Sequence, residues 1–403
     1  MKGRLILTFL SILSLHMTKA GEPQGFPIIA DILHTELYDA KRFRDIHKAG
    51  FNACMCRCKT PEKMQAALAN AQRHGMKVIM YSNLFIDNPD KSIPLVMKHE
   101  ALWQYYLADE PTMKKWEKLN ELQKRIKKVD SNAKCYINLL PNSSKDVLKS
   151  IGLNSYPEYL KEFSKIEQPQ ISYDFYPIQG KTVMDNKWYP MLDDIRNESL
   201  RTGKPFWAYI LCVPHFIYPM PTLGHLRLQC YVNLAYGAQG IQYFSYSTPE
   251  PTGQYDFHDG PLLRDGKKSS TYILVQKMNA ELKPVASLFW KSTVTSIEHR
   301  KCIDGNVLVS HFEKDGSHYT CFVNKSAEKN VTIILRPEEY ASRIRKALTE
   351  EKVMQSYTLS AGDILILRKK SEKRIAALTF QPFNSLTFQR KKNRELRCCH
   401  THI

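Results

Sequence analysis

Tyr105-Tyr106-Leu107-Ala108-Asp109-Glu110-Pro111-Thr112 is an aromatic-rich run that reads as a strand, ends on two adjacent carboxylates and is stopped by a proline. Pro111 has no N–H to offer a neighbouring strand, so pairing ends there and the acidic pair sits at a strand's C-terminal end. Upstream, 77–83 is a second short apolar run; downstream, 113–129 has apolar residues spaced by three and four, the mark of an amphipathic helix. The same alternation recurs eight times between residues 25 and 290, with strands expected at 27–34, 51–57, 77–83, 102–110, 134–140, 171–178, 205–213 and 240–247. Helices are expected at 38–48, 61–74, 113–129, 157–166, 188–202, 223–236 and 272–282, with a shorter piece at 93–100. Gly50, Gly75, Gly203 and Gly237 or Gly240 stand where a helix must turn into the next strand. Eight βα units predict an α/β fold, a (β/α)8 TIM barrel. An open doubly wound sheet would carry a glycine-rich phosphate turn after its first strand, and none is present.

Beyond Trp290 the period changes to short alternating strands at 293–298, 307–312, 319–324, 331–335, 357–358 and 363–367, broken by turns such as Asp304-Gly305, Asp315-Gly316 and Ala361-Gly362. The expected organisation is a targeting segment at 1–20, the barrel at 25–290, a small all-β sandwich at 291–370 and a basic, disordered tail at 371–403.

At 403 residues and 43% hydrophobic content the chain can bury one large core and a smaller one. Lys2 and Arg4 precede an apolar run from Leu5 to Leu15, and the small Ala20-Gly21 follow, which reads as a signal peptide too short to span a bilayer and implies a secreted or periplasmic protein. No later run is long enough for membrane insertion. Ten cysteines in this length make neither a disulfide scaffold nor a zinc module; Cys54, Cys56 and Cys58 alternate along a strand as small core residues. The net charge of +18 is spread over many helices and the two ends, not gathered into a stripe, so a nucleic-acid partner is not expected.

In such a barrel, working residues lie at the C-terminal ends of strands. Asp109 and Glu110 lead the candidates, since like charges that close raise at least one pKa, as a general acid requires. Asp174 lies on the sixth strand. Asp31, Asn83, Asn138, Tyr176, Trp207, His215, Tyr243, Tyr246 and Glu250 are the expected substrate-binding set, aromatic rings serving sugar faces and polar groups their hydroxyls. His34, His215 and His258 stand at no ligand spacing, so neither metal nor other cofactor is expected.

The Asp109-Glu110-Pro111 segment resembles the acid/base motif of the barrel clan of glycoside hydrolases that includes the family 42 β-galactosidases, in which Asn-Glu-Pro closes strand four. The plan of barrel then sandwich is similar to that clan over 25–370, and 173–177 and 235–246 look like the sixth and eighth strands of barrel hydrolases of gut Bacteroidetes. The resemblance implies that Glu110 protonates the leaving oxygen. It also implies a nucleophilic Glu on strand seven, but 205–213 carries no carboxylate. Three repairs stand open: Asp174 as nucleophile or base, Asp109 orienting an acetamido group of the substrate that attacks its own anomeric carbon, or Glu250 reaching in from the loop after strand eight. Asp174 ranks first because strand ends are better anchored than loops. The expectation is an exported glycosidase acting on a carbohydrate, with a non-catalytic glycan-binding barrel as the alternative. The basic balance admits an acidic glycan such as a uronide or sulfated sugar. Nothing in the pattern specifies an oligomeric state.

Overall fold

The computed structural model describes residues 21–34, 38–142, 148–149, 152–342 and 344–369. The expected targeting segment and basic tail lie outside the described residues.

Eight parallel strands close into a barrel: β1 (Ile28–Ile32), β2 (Ala53–Arg57), β3 (Lys77–Tyr81), β4 (Leu102–Asp109), β5 (Cys135–Leu139), β6 (Ile171–Tyr173), β9 (Phe206–Leu211) and β10 (Ile241–Phe244). A two-stranded excursion, β7 (Ile178–Gln179) with β8 (Thr182–Val183), projects from the loop after β6. The sixth strand is thus shorter than its apolar pattern implies, and Asp174 stands just beyond it. The main outer helices are α1 (Ala40–Lys48), α2 (Pro61–Gln72), α3 (Asn83–Asp87), α4 (Pro89–Ser92), α5 (Trp116–Val129), α6 (Tyr156–Phe163), α7 (Asp185–Thr202), α8 (Leu223–Tyr236) and α9 (Ser270–Phe289).

Local chemistry fixes the helix starts. The side chains of Asp39, Thr60, Ser155, Thr222 and Ser269 each accept from a backbone N–H of the first turn, and Pro61 and Pro157 begin their helices where a missing N–H costs nothing. Gly237 ends α8 at φ 107°, a conformation that side chains with a Cβ avoid. Gly240 starts the return to β10 flat against Trp207, where a Cβ would stand 2.8 Å from the indole.

The barrel interior is filled by Ile29, Ala53, Met55, Ile79, Trp103, Tyr106, Tyr136, Trp207 and Tyr209, while a second, larger layer joins strands to helices. Trp103 and Trp207, near the N-terminal ends of their strands, tilt together at 4.9 Å and plug the floor.

The C-terminal part is antiparallel. Strands β11 (Thr293–Lys301), β12 (Asn306–Lys314), β13 (Ser317–Asn324), β17 (Ile364–Lys369) and β15 (Ile344–Lys346) form one sheet in that order, and β14 (Val331–Ile334) pairs with β16 (Ser356–Leu359) in another. One face of the large sheet buries Val307, Val309, Phe322, Leu365 and Leu367 against Val331, Ile333 and Leu359 of the small one. Its other face sets Leu308, Phe312 and Cys321 into the barrel's outer layer. The fold is a (β/α)8 barrel followed by a β-sandwich.

Candidate active site

Register decides which side chains enter the barrel mouth. In parallel strands, paired residues point to the same side, and Asn138 pairs with both Asp109 and Ser172. Simple alternation from inward Tyr106 would turn Asp109 outward. The β4–β5 register slips by one residue between Tyr106 and Ala108, however, so Ala108 turns outward and Asp109 inward. The next residue, Glu110, has φ 42° and donates its N–H to Asn138 O at 3.0 Å. A non-glycine residue held there is strained, a condition that persists where surrounding structure imposes it.

Two carboxylates share one amide, and a third lies beside them. Asn138 Nδ2 donates to Asp174 Oδ1 at 2.9 Å and to Asp109 Oδ1 at 3.2 Å. Glu110 and Asp174 lie near enough to shift one another's proton affinity. Burial, and then the charge of Asp109, push the Glu110 carboxyl from 4.5 up to about 7, Asp174 offsetting part of this. Asp174 is raised well above the usual carboxylate range by burial and by the charges of Glu110 and Asp109.

Beneath the amide lies a buried polar ring. Ser172 Oγ donates to Asn138 Oδ1 at 2.9 Å, accepts from Gln242 Nε2 at 2.9 Å and lies 2.7 Å from Tyr136 Oη, which donates to Gln242 Oε1 at 2.7 Å. The ring leaves Asn138 one orientation, with its NH2 toward the carboxylates. Tyr136, Ser172 and Gln242 were not among the residues expected from sequence. A polar residue in mid-strand, such as Gln242 between Ile241 and Tyr243, was their signal.

Arg57, also unforeseen, closes the other side of the mouth. It holds Asp31, which is only 1% exposed, through both terminal nitrogens, and its guanidinium lies 5.7 Å from the Tyr106 ring centre. Burial raises the Asp31 carboxyl and Arg57 counters it. Asp31 is thus sealed under Arg57 and does not face substrate. A cavity of about 1050 Å3 is lined by Arg57, Tyr81, Tyr106, Asp109, Lys115 and Arg125 among others, and a second of about 500 Å3 by His34, Arg57, Tyr81 and Asn83. Asn83 accepts from the Tyr81 hydroxyl at 2.7 Å.

Other expected contacts are corrected. Trp207 belongs to the barrel floor. Tyr243 points outward, its hydroxyl donating to Asn279 at 2.7 Å, and Tyr246 is fully buried against Phe51 and Tyr272. Glu250 is exposed and pairs with Arg264 at 3.4 Å. His215 is buried between Tyr218 and Phe257, and Tyr176 stacks on Phe244 at the mouth. Strand β9 carries no carboxylate. Cys54 and Cys56 lie in the strand–helix layer, and among the described residues no group of three or more His, Cys, Asp or Glu gathers as metal ligands. No helix among them is long and apolar enough to cross a membrane.

The sequence profile of glycoside hydrolase family 42, described as Beta-galactosidase, matches residues 96–285, from just before β4 through most of α9. The chain is a glycosidase whose barrel is similar to that family's. Glycan hydrolysis is its general chemistry. A catalytic-mutant structure of Gan42B, a GH42 beta-galactosidase from G. stearothermophilus, is similar over 87% of this chain and 99% of its own, with TM-score 0.62 and 9% identity. The beta-galactosidase from Bacillus circulans sp. alkalophilus is similar over 86% of this chain and 99% of its own, with TM-score 0.61 and 9% identity. At that identity the likeness speaks for the fold. No curated protein matches the sequence.

Proposed function

We propose that the protein is an exported glycosidase in which Glu110 is the general acid/base and Asp174 the second carboxylate. The observation that supports this reading is the placement of Asp109 and Asp174 on the Asn138 amide at the C-terminal rim with Glu110 beside them, pushed up to about 7. A carboxyl with that affinity stays protonated at mildly acidic pH, donates to the leaving oxygen, and as carboxylate takes a proton from water. Carboxylates flanking a glycosidic bond stand about 5 Å or more apart, which is the separation this reading requires of Glu110 and Asp174 in the sugar complex.

The exposure of Asp109 beside the 1050 Å3 cavity favours a second reading, in which Asp109 orients a substrate acetamido group while Glu110 donates the proton. Inhibition by a thiazoline analogue and inactivity on sugars lacking N-acetyl groups would select it. Residues 1–20 direct the chain to the periplasm or exterior.

The test is a screen of wild type and Glu110→Gln on aryl glycosides, β-galactosides first, and on pectic, host and algal glycans. Uronides and sulfated sugars are included because of the net charge of +18. Release of sugar should fall by about 10²-fold or more in Glu110→Gln. Release that is equal in the two proteins would overturn the assignment.

A further inference from the structure

The aromatic residues that the carboxylate cluster does not use form a continuous series leading away from it. Tyr176, two residues after Asp174, stacks on Phe244 at 5.9 Å and meets Tyr218 edge-on at 5.8 Å. Tyr218 meets His215 at 4.8 Å, His215 meets Phe257 at 4.3 Å, Phe257 stacks with Tyr255 at 5.9 Å, and Tyr255 meets Phe216 at 6.1 Å. The series ends in the open: Phe216 is 53% exposed and Tyr255 42%, with Ile217 and Met220 exposed alongside.

This placement is held by specific bonds. Tight turns bridge His215 with Tyr218 and Thr252 with Tyr255. Asp256 Oδ1 accepts the Phe216 N–H at 2.7 Å, and His258 N donates to Pro214 O at 3.2 Å, so the loops after β9 and β10 are tied together. Phe216 itself sits at φ 49°, a left-handed conformation costly for an aromatic residue. An apolar side chain fixed outward at such a cost has no role in the core. The patch is edged by Asp256, Thr252 and the His258–Asp259 pair at 3.0 Å. Flat rings bordered by acceptors and donors suit a pyranose, whose C–H face stacks while its hydroxyls take hydrogen bonds.

We propose that Phe216 and Tyr255 form a sugar-stacking platform that holds a unit of the glycan beyond the bond being cleaved. The substrate class is then an oligosaccharide or polysaccharide, not a glycoside with a small aglycone. The inference rests on the reading of the Glu110 cluster as the cleavage point, and its test is arranged to fail separately.

Glu110→Gln, and the same protein carrying Phe216→Ala and Tyr255→Ala, are applied to a microarray of defined pectic, host and algal oligosaccharides of one to eight units. The single variant is expected to bind glycans of three or more units, and the triple variant to lose at least tenfold of that signal at an unchanged melting temperature. Phe216→Tyr in place of Ala should keep the binding; Phe216→Gly, which relieves the positive φ, should lose it. Equal binding by the single and triple variants, or no glycan bound by either, overturns the platform. So does a shift from dimer to monomer in the triple variant with array binding unaltered, which would assign the patch to a second copy of the chain. Platform-dependent binding together with sugar release that does not depend on Glu110 would leave the platform standing and remove the acid assignment.

Discussion

Replacing Glu110 by Gln should make the folded protein more stable in alkaline solution and leave it nearly unchanged in acid. The Glu110 carboxyl titrates at about 7 in the fold, against 4.5 for the unperturbed group. That step corresponds to roughly 3 kcal/mol at 1.36 kcal/mol per pH unit, discounted toward 2 because solvent reaches part of the side chain. The folded-state pKa is raised, so the protonated fold is favoured. The stability this confers is complete below 4.5 and is lost as pH rises through about 7. Above that pH the fold holds an unfavourable carboxylate that Gln removes. With an unfolding entropy of about 2 cal/mol/K per residue over ~350 folded residues, 2 to 3 kcal/mol is about 3 to 4 °C in Tm. Asp174, raised in part by the Glu110 charge, adds in the same direction. Melting curves of both proteins at pH 4, 6 and 8.5 supply the measurement: the gain should be near zero at pH 4 and full at pH 8.5. A difference that does not vary with pH, or a Gln variant that melts lower at pH 8.5, would refute the reasoning.

Asp109→Asn removes the charge that, after burial, raises Glu110 most, so the loss of activity on the alkaline side should move to lower pH in a kcat profile; an unmoved limb would show that the charge does not act there. Ser172→Ala unseats the Asn138 amide and strips a partner from Tyr136 and Gln242. We expect a loss of about 1–3 kcal/mol in denaturant unfolding and roughly tenfold in kcat. Arg57→Met leaves Asp31 buried and unpaired, costing about 3–5 kcal/mol at neutral pH; adding Asp31→Asn should recover much of it. Gly224→Ala would place a Cβ 2.4 Å from the Ala327 carbonyl oxygen and 2.8 Å from Ala361 Cβ, where α8 meets the sandwich. The overpacking should cost about 1–3 kcal/mol and speed proteolysis of the sandwich, against wild type digested in parallel.

The barrel was legible because eight apolar runs alternate with amphipathic helices, and strand-end position alone singled out Asp109, Glu110, Asn138 and Asp174. Which way each side chain points was not legible. Parallel barrel strands are buried on both faces, so their sequence carries no period-two signal to separate inward Gln242 from outward Tyr243. Reading Tyr243 as a sugar contact was a parity error of this kind, whereas Tyr246 lies beyond the strand and is buried against Phe51 and Tyr272. Trp207 failed for a different reason: it does point inward, but from the second position of its strand, at the floor. The slip that turns Asp109 into the mouth depends on how β4 meets β5, which no local pattern records. Ion pairing across strands is equally silent, and Asp31 was read as free because its Arg57 partner lies 26 residues away.

The empty end of β9 gains meaning from what surrounds it. On β1 to β6 the mouth is polar: the Arg57–Asp31 pair, Asn138 and three carboxylates within one network. On β9, β10 and their loops it is aromatic, with Tyr209, Phe244, His215 and Phe257 where a seventh-strand acid would stand. A pyranose between the halves meets rings on one flank and oxygen acceptors on the other. Positive charge developing at the anomeric carbon can then be balanced only from the β4–β6 side. On the proposed reading, one group of carboxyls both donates the proton and faces that charge. Glu110, held up at about 7 by burial and the Asp109 charge, reconciles the two tasks: once its proton passes to the leaving oxygen, the cluster becomes more negative at the moment the sugar becomes positive. A seventh-strand carboxylate is dispensable only if that transfer and the charge development occur together. Asp174→Asn should therefore slow the reaction even with Glu110 intact, and an unchanged kcat in that variant would break the argument.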